Sequence, residues 1–156
     1  MQIVAKEYGT GFPLILIHGV WMSSRFFEKN VESLAKRFRV LAVDLPGHGL
    51  AEKRHAGHTV GAYAKELEQL IITRGFKRVA LAGWSMGCFV IWEYIRQFGT
   101  SKLAANINIS QGPTDFRWAD WQHGPFDLKS LQSMMRKCQE DQEGLLRGFL
   151  PAMFKT

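Results

Sequence analysis

Ser85 stands in Gly83-Trp84-Ser85-Met86-Gly87, a Gly-x-Ser-x-Gly bounded by apolar residues on both sides. The two glycines leave room for a tight strand-to-helix turn that would expose the hydroxyl and aim it at a carbonyl carbon. The helix start behind it would offer free N–H groups and partial positive charge to a developing oxyanion. A serine cannot do this alone. It needs a base, usually a histidine held by a carboxylate. The histidines are His18, His48, His55, His58 and His123, and only His123 follows the serine.

A second loop, His18-Gly19-Val20-Trp21, has the composition to supply a second oxyanion donor. The Val20 N–H would pair with that of Met86, and loss of one such donor costs about 10²–10³ in rate. His18 reads as a residue that fixes this loop. Asp44-Leu45-Pro46-Gly47-His48-Gly49 reads as a tight structural turn, and His55 and His58 as solvated loop residues.

These loops need elements to carry them. Residues 2–8 read as a short strand, and 13–17 as an apolar strand buried on both faces. Ser24 is placed to cap a helix over 25–37. Strands follow at 39–43, 79–82 and 103–109. Thr59 caps a helix over 60–73 closed by Gly75, and Gly99 ends a helix over 85–98. Strands alternating with helices imply a mostly parallel sheet covered on both faces, a three-layer α/β/α sandwich. The three loops then meet at the carboxyl edge of the sheet, where ligands bind in such folds. Beyond Ile109 lies an aromatic loop, then helices near 127–139 and 141–154. This divides the chain into a core, 1–110, and a helical segment, 111–156.

Composition excludes several classes. At 46% hydrophobic and 22% charged, the 156 residues are those of a globular domain. The net charge of +6 is spread in pairs such as Lys36-Arg37, Lys53-Arg54, Lys77-Arg78 and Arg136-Lys137, a solvated surface and not a nucleic-acid stripe. Cys88 and Cys138 read as reduced core thiols. No His/Cys/Asp cluster has metal-ligand spacing, so neither metal nor organic cofactor is expected. The N-terminus lacks the apolar core of a signal peptide, and no run is long enough to span a membrane, so a cytoplasmic protein is expected.

The three motifs, in this order and at these intervals, resemble the α/β-hydrolase superfamily. Gly57-His58-Thr59-Val60 and the aromatic loop are similar to the branch of cofactor-free haloperoxidases and arylesterases. The resemblance covers nearly the whole chain. It implies Ser85 as nucleophile, Val20 and Met86 as oxyanion donors, and a small-molecule carboxylic ester as substrate, with perhydrolysis as a side activity. A serine at position 85 argues against the superfamily's dehalogenases and epoxide hydrolases, which attack with a carboxylate. Trp21, Trp84, Trp118, Trp121 and Phe126 are candidates for an aromatic acyl pocket.

The superfamily carries its acid and histidine after strands that this chain does not show. Strands are legible only to the one the superfamily places sixth, and the last helices resemble the start of its cap. The expectation is a partial fold that stops within the cap. Three readings of the base stay open. Asp115 and His123 would keep the order Ser, acid, His, and some members carry the acid after the sixth strand. A homodimer through the strand edge at 103–109 or the cap helices could bring His123 from another copy. Or no base is present, and the chain is a silent fragment or a binding module with a hydrolase-like cleft.

Overall fold

A computed structural model describes residues 3–53 and 55–153. Arg54 and the ends assigned above to the first strand and the last helix lie outside the described residues. The chain divides into two compact units, Met1–Gln111 and Gly112–Thr156.

The first unit is built on five strands: β1 (Val4–Tyr8), β2 (Phe12–Ile17), β3 (Phe38–Asp44), β4 (Val79–Trp84) and β5 (Leu103–Ile109), in the order β1-β3-β2-β4-β5. β1 runs antiparallel to β3, and the other pairs are parallel. Alternation along each strand sorts its side chains to two faces. Ile15 and Ile17, Leu41 and Val43, and Val79 and Leu81 meet Tyr63, Leu67 and Ile71 of α2 (Val60–Thr73) and Val90, Ile91 and Tyr94 of α3 (Met86–Phe98). Leu14, Leu16, Val40, Ala42, Ala80 and Ala82 meet Phe27 and Val31, the latter on α1 (Glu28–Ala35). The inner strands β2, β3 and β4 are covered on both faces, as their apolar runs require, while most of β5 is exposed. The one acidic side chain buried between α2 and α3, Glu68, accepts from the Tyr94 hydroxyl at 2.9 Å and pairs with Lys102.

Local signals set most boundaries. Thr59 Oγ1 accepts from the Ala62 N–H at 3.2 Å and starts α2. Gly99, at φ +73°, closes α3 by donating to Ile95. The helix expected over 25–37 opens instead as a 3₁₀ turn, Ser24–Phe27, and its cap is Ser23. The reason is tertiary: the Ser24 N–H is taken by Asp44 Oδ1 at 2.6 Å. Of the two thiols expected in a core, Cys88 is buried and Cys138 only half-buried.

The second unit holds the loop 111–127 and two helices, α4 (Leu128–Glu140) and α5 (Gln142–Met153). Inside the loop, Trp118 and Trp121 exchange backbone bonds of 2.7 and 3.1 Å, and Phe126 pairs with Asp115 and Arg117. No helix among the described residues is long and apolar enough to cross a membrane.

Candidate active site

β2 lies between β3 and β4, with Ile17 level with Val43 on one side and Gly83 on the other. The loops after these three strands therefore leave the sheet side by side. The chain turns from β2 to β3 on one flank and crosses to β4 on the other, so the loops emerge where the strand order reverses, the place where open sheets bind ligands.

The turn from β4 into α3 is strained at one residue. Ser85 has φ +52° and ψ −120°, a region few non-glycine residues enter. What holds it there is close approach. A Cβ on Gly83 would lie 2.5 Å from the Gly87 carbonyl carbon, and one on Gly87 would strike the Ile17 carbonyl oxygen. Strand and helix can come this close only with hydrogens at both positions. The Ser85 N–H donates to Ile109 at 3.1 Å, and the Cys88 thiol donates to the Gly83 carbonyl at 3.0 Å. Met86 opens α3, and the first N–H groups of a helix have no intrahelical acceptor. The 18–21 loop presses on this turn: a Cβ on Gly19 would sit 3.1 Å from Ser85 Cβ.

His18 is fully buried and locks that loop to the next. Its Nε2 accepts the Leu45 N–H at 3.1 Å, so Nδ1 carries the proton and donates to the Gly19 carbonyl at 2.7 Å. Burial pushes its pKa down to about 4. A ring that is neutral, enclosed and bonded at both nitrogens is no general base. Asp44 is locked as well, accepting from Ser24 and from Leu50 at 2.8 Å. Burial opposes its ionisation, yet these N–H groups outweigh it and hold the carboxyl below its usual range. The Asp44 carboxylate thus ties the 44–49 turn to the start of the 3₁₀ turn at Ser24.

A cavity of about 310 Å³ opens beside the turn, lined by Val20, Trp21, Gly47, His48, His58, Val60, Tyr63 and Met86. Val20, Trp21 and Met86 lie together in its lining. Trp84 goes elsewhere: its ring stacks on Phe26 at 4.2 Å and joins the α1 face. Strand parity is the cause, since Trp84 follows Ala80 and Ala82 onto that face. His48, His58 and Tyr63 were not read as cavity residues. The signal that could have found them is the α2 cap at Thr59, which fixes His58 just ahead of the helix and Tyr63 on its first turn.

In the second unit, His123 meets Trp121 edge-on at 5.2 Å, Phe116 and Trp118 lie 6.2 Å apart, and the Phe126 N–H donates to the Asp115 carbonyl at 3.1 Å. A larger cavity, about 600 Å³, lies between α4 and α5 and is lined by Lys137, Glu140, Asp141, Gly144, Leu145, Gly148 and Phe149. Its lining holds no serine, cysteine or histidine. No cluster of three or more metal-ligating side chains occurs among the described residues.

With the strained serine, the glycine contacts and the three converging loops in view, the family follows. The α/β hydrolase fold model matches residues 13–156. The chain belongs to the α/β-hydrolase fold family. Within it, the similarity is to esterases and haloperoxidases. A pimeloyl-[acyl-carrier protein] methyl ester esterase of Nitrosomonas europaea is 32% identical over 96% of this chain and 56% of that protein. An esterase from Exiguobacterium antarcticum superposes with a TM-score of 0.89 at 22% identity, over 94% of this chain and 55% of its own. A bromoperoxidase from Bacillus anthracis does so with a TM-score of 0.89 at 27% identity, over 94% and 54%. The chain spans from about a quarter to just over half the length of the curated relatives it matches. The five-stranded, mostly parallel sheet with helices on both faces is a partial α/β-hydrolase fold.

Proposed function

We propose that this chain carries the nucleophile and oxyanion hole of a serine hydrolase acting on carboxylic esters. One observation carries the proposal: Ser85 is held at positive φ at the head of α3, and the cavity beside it is lined by Met86 and Val20. Esterases among the relatives support the ester class.

Ser85 Oγ attacks the acyl carbon as its proton passes to a base. The N–H groups of Met86 and Val20 hold the oxyanion of the tetrahedral intermediate. Its collapse expels the alcohol, which takes up the proton, and leaves an acyl-serine. Water then releases the acid by the same steps in reverse roles. Trp21 lines the acyl side. His18 is excluded as the base by its two bonds, which leaves two readings: His123 with Asp115 supplies the base, within one chain or from a second copy in a homodimer through the β5 edge or the last helices, or the chain carries no base of its own. The protein works in the cytoplasm without a cofactor.

The test is intact mass after incubation with a fluorophosphonate, beside Ser85→Ala. One adduct on the folded protein, absent from the variant, is expected. A slower labelling rate in His123→Ala is expected too, and an unchanged rate would remove His123 from the mechanism. No adduct on folded protein overturns the catalytic reading in favour of a silent binding module. Turnover of an activated ester alone is weaker evidence, because oxyanion donors and binding can leave about 10³–10⁴-fold acceleration without a working triad.

A further inference from the structure

The 310 Å³ cavity has two unlike sides. Val20, Trp21, Val60 and Met86 line one part of it with apolar groups, while His48, His58 and Tyr63 line the rest. We propose that this polar wall is an acyl-recognition subsite, with His48 accepting a hydrogen bond from a hydroxyl or amide N–H on the acyl chain. Short-chain esters substituted in this way are then the preferred substrate class. The proposal rests on Ser85 being the nucleophile for the word substrate, but not for the binding itself.

The tautomer of His48 decides the class. Its Nδ1 lies 3.2 Å from the Pro46 carbonyl oxygen, which can only accept. Nδ1 therefore carries the proton, and Nε2 is left with its lone pair. Burial lowers the pKa of the ring, and nearby His58 and Lys53 push the same way, against the opposing pull of Pro46 and Asp44. At neutral pH the ring offers an acceptor and no charge. A carboxylate meeting that lone pair is repelled, whereas a hydroxyl or amide donor is matched. The groups packed around His48 do not change this. His18, at 4.9 Å, is neutral and bonded at both nitrogens, and the Asp44 carboxylate is taken up by Ser24 and Leu50. Lys53 donates to the Gly49 and Ala51 carbonyls. Tyr63 stands edge-on to His48 at 6.1 Å, and its hydroxyl lies 3.3 Å from His58 Nδ1. Burial raises the Tyr63 pKa, so the phenol stays protonated.

The volume limits the length of the acyl group. Ligand pockets run from about 300 to 1,000 Å³, and this one is at the small end. The His58 ring lies against Gly47, where a Cβ would come within 2.5 Å of Cε1, and the three carbonyls that hold His48 and Lys53, those of Pro46, Gly49 and Ala51, belong to the 44–51 turn.

The experiment uses Ser85→Ala protein, which cannot form an acyl-serine, titrated with methyl 3-hydroxybutanoate, methyl butanoate and monomethyl succinate at pH 7.5. The Cε1–H resonance of His48 is followed by NMR. The expected result is saturable movement of that resonance with the hydroxy ester bound about three- to tenfold more tightly than butanoate, the yield of one neutral hydrogen bond. Succinate should bind more weakly than butanoate. His48→Phe should bind the hydroxy ester and butanoate alike. Equal binding of the two in the protein with His48 intact, or tighter binding of succinate, overturns the subsite even if His48→Phe does not fold. Selective binding in a protein that the fluorophosphonate fails to label would keep the subsite and remove only the nucleophile. Labelling without selectivity would do the reverse.

Discussion

Helix α3 of the first unit buries Gly87, Cys88, Val90, Ile91 and Tyr94, whereas α4 of the second buries none of its thirteen residues. The two helices are held by different physics. α3 begins at a strained serine without a side-chain cap and relies on packing against the sheet and α2. α4 relies on its own sequence: Asp127 and Ser130 form a reciprocal capping box, with the Ser130 N–H donating to Asp127 Oδ1 at 2.7 Å. α5 is similar, with Asp141 accepting from the Gly144 N–H at 2.8 Å and an Arg147–Glu143 pair four residues apart. The comparison teaches that packing can hold a residue in an unfavourable conformation, while caps hold only favourable ones. The strained Ser85 therefore belongs in the first unit.

Deleting packing should separate the units most. Leu81→Ala removes a fully buried side chain between β4 and the α2 and α3 face and should cost about 2–5 kcal/mol. Leu128→Ala, at a side chain 69% exposed, should fall within about 0.5 kcal/mol. Urea unfolding of both variants measures the contrast, and equal losses would break it.

Acid should act on the first unit next. His18 has its pKa lowered from 6.5 to about 4, so the unfolded chain binds the proton first. The stability this represents is present above pH 6.5 and lost as pH falls towards 4, about 3 kcal/mol in all. Asp44, also lowered, continues the loss as pH falls through the carboxylate range. The urea midpoint measured from pH 7.5 to 4 should drop through this window, and a flat profile would show that His18 is not locked neutral.

Glycine replacements should give opposite signs. Gly87→Ala drives a Cβ into the Ile17 carbonyl and should cost about 1–3 kcal/mol. Gly148→Ala, within α5 with nothing within 4 Å, should gain about 0.5–1 kcal/mol from helix propensity. Thermal melts of the pair read both signs at once. Smallest in consequence for the whole, Asp127→Ala should cost about 1 kcal/mol through the lost cap, seen as reduced helicity by circular dichroism with the urea transition of the core unchanged.

Much of the first unit is legible residue by residue. Leu14–Ile17 and Val79–Ala82 read as strands because continuous apolar runs have one stable use in a covered parallel sheet. Thr59 and Gly99 mark helix ends through bonds made within a few residues. The motif around Ser85 is legible for the same reason, since its glycines answer a local steric demand. The Ser24 cap was not legible, because the acceptor that takes the Ser24 N–H is Asp44, twenty residues away. Trp84 was also missed, although parity from Ala82 carried the information.

By itself, the sequence determined the alternation of strands and helices and the turn that presents Ser85. These follow from short-range rules of periodicity, capping and glycine sterics. Only the tertiary structure decided that His18 is sealed between two loops, that Trp84 turns to Phe26, and that His48, His58 and Tyr63 form one wall beside Met86. Each of these depends on contacts between residues far apart in the chain. The protonation of an imidazole depends on the same contacts: a carbonyl 3.2 Å from His48 Nδ1 selects a tautomer that no pattern of neighbouring residues encodes.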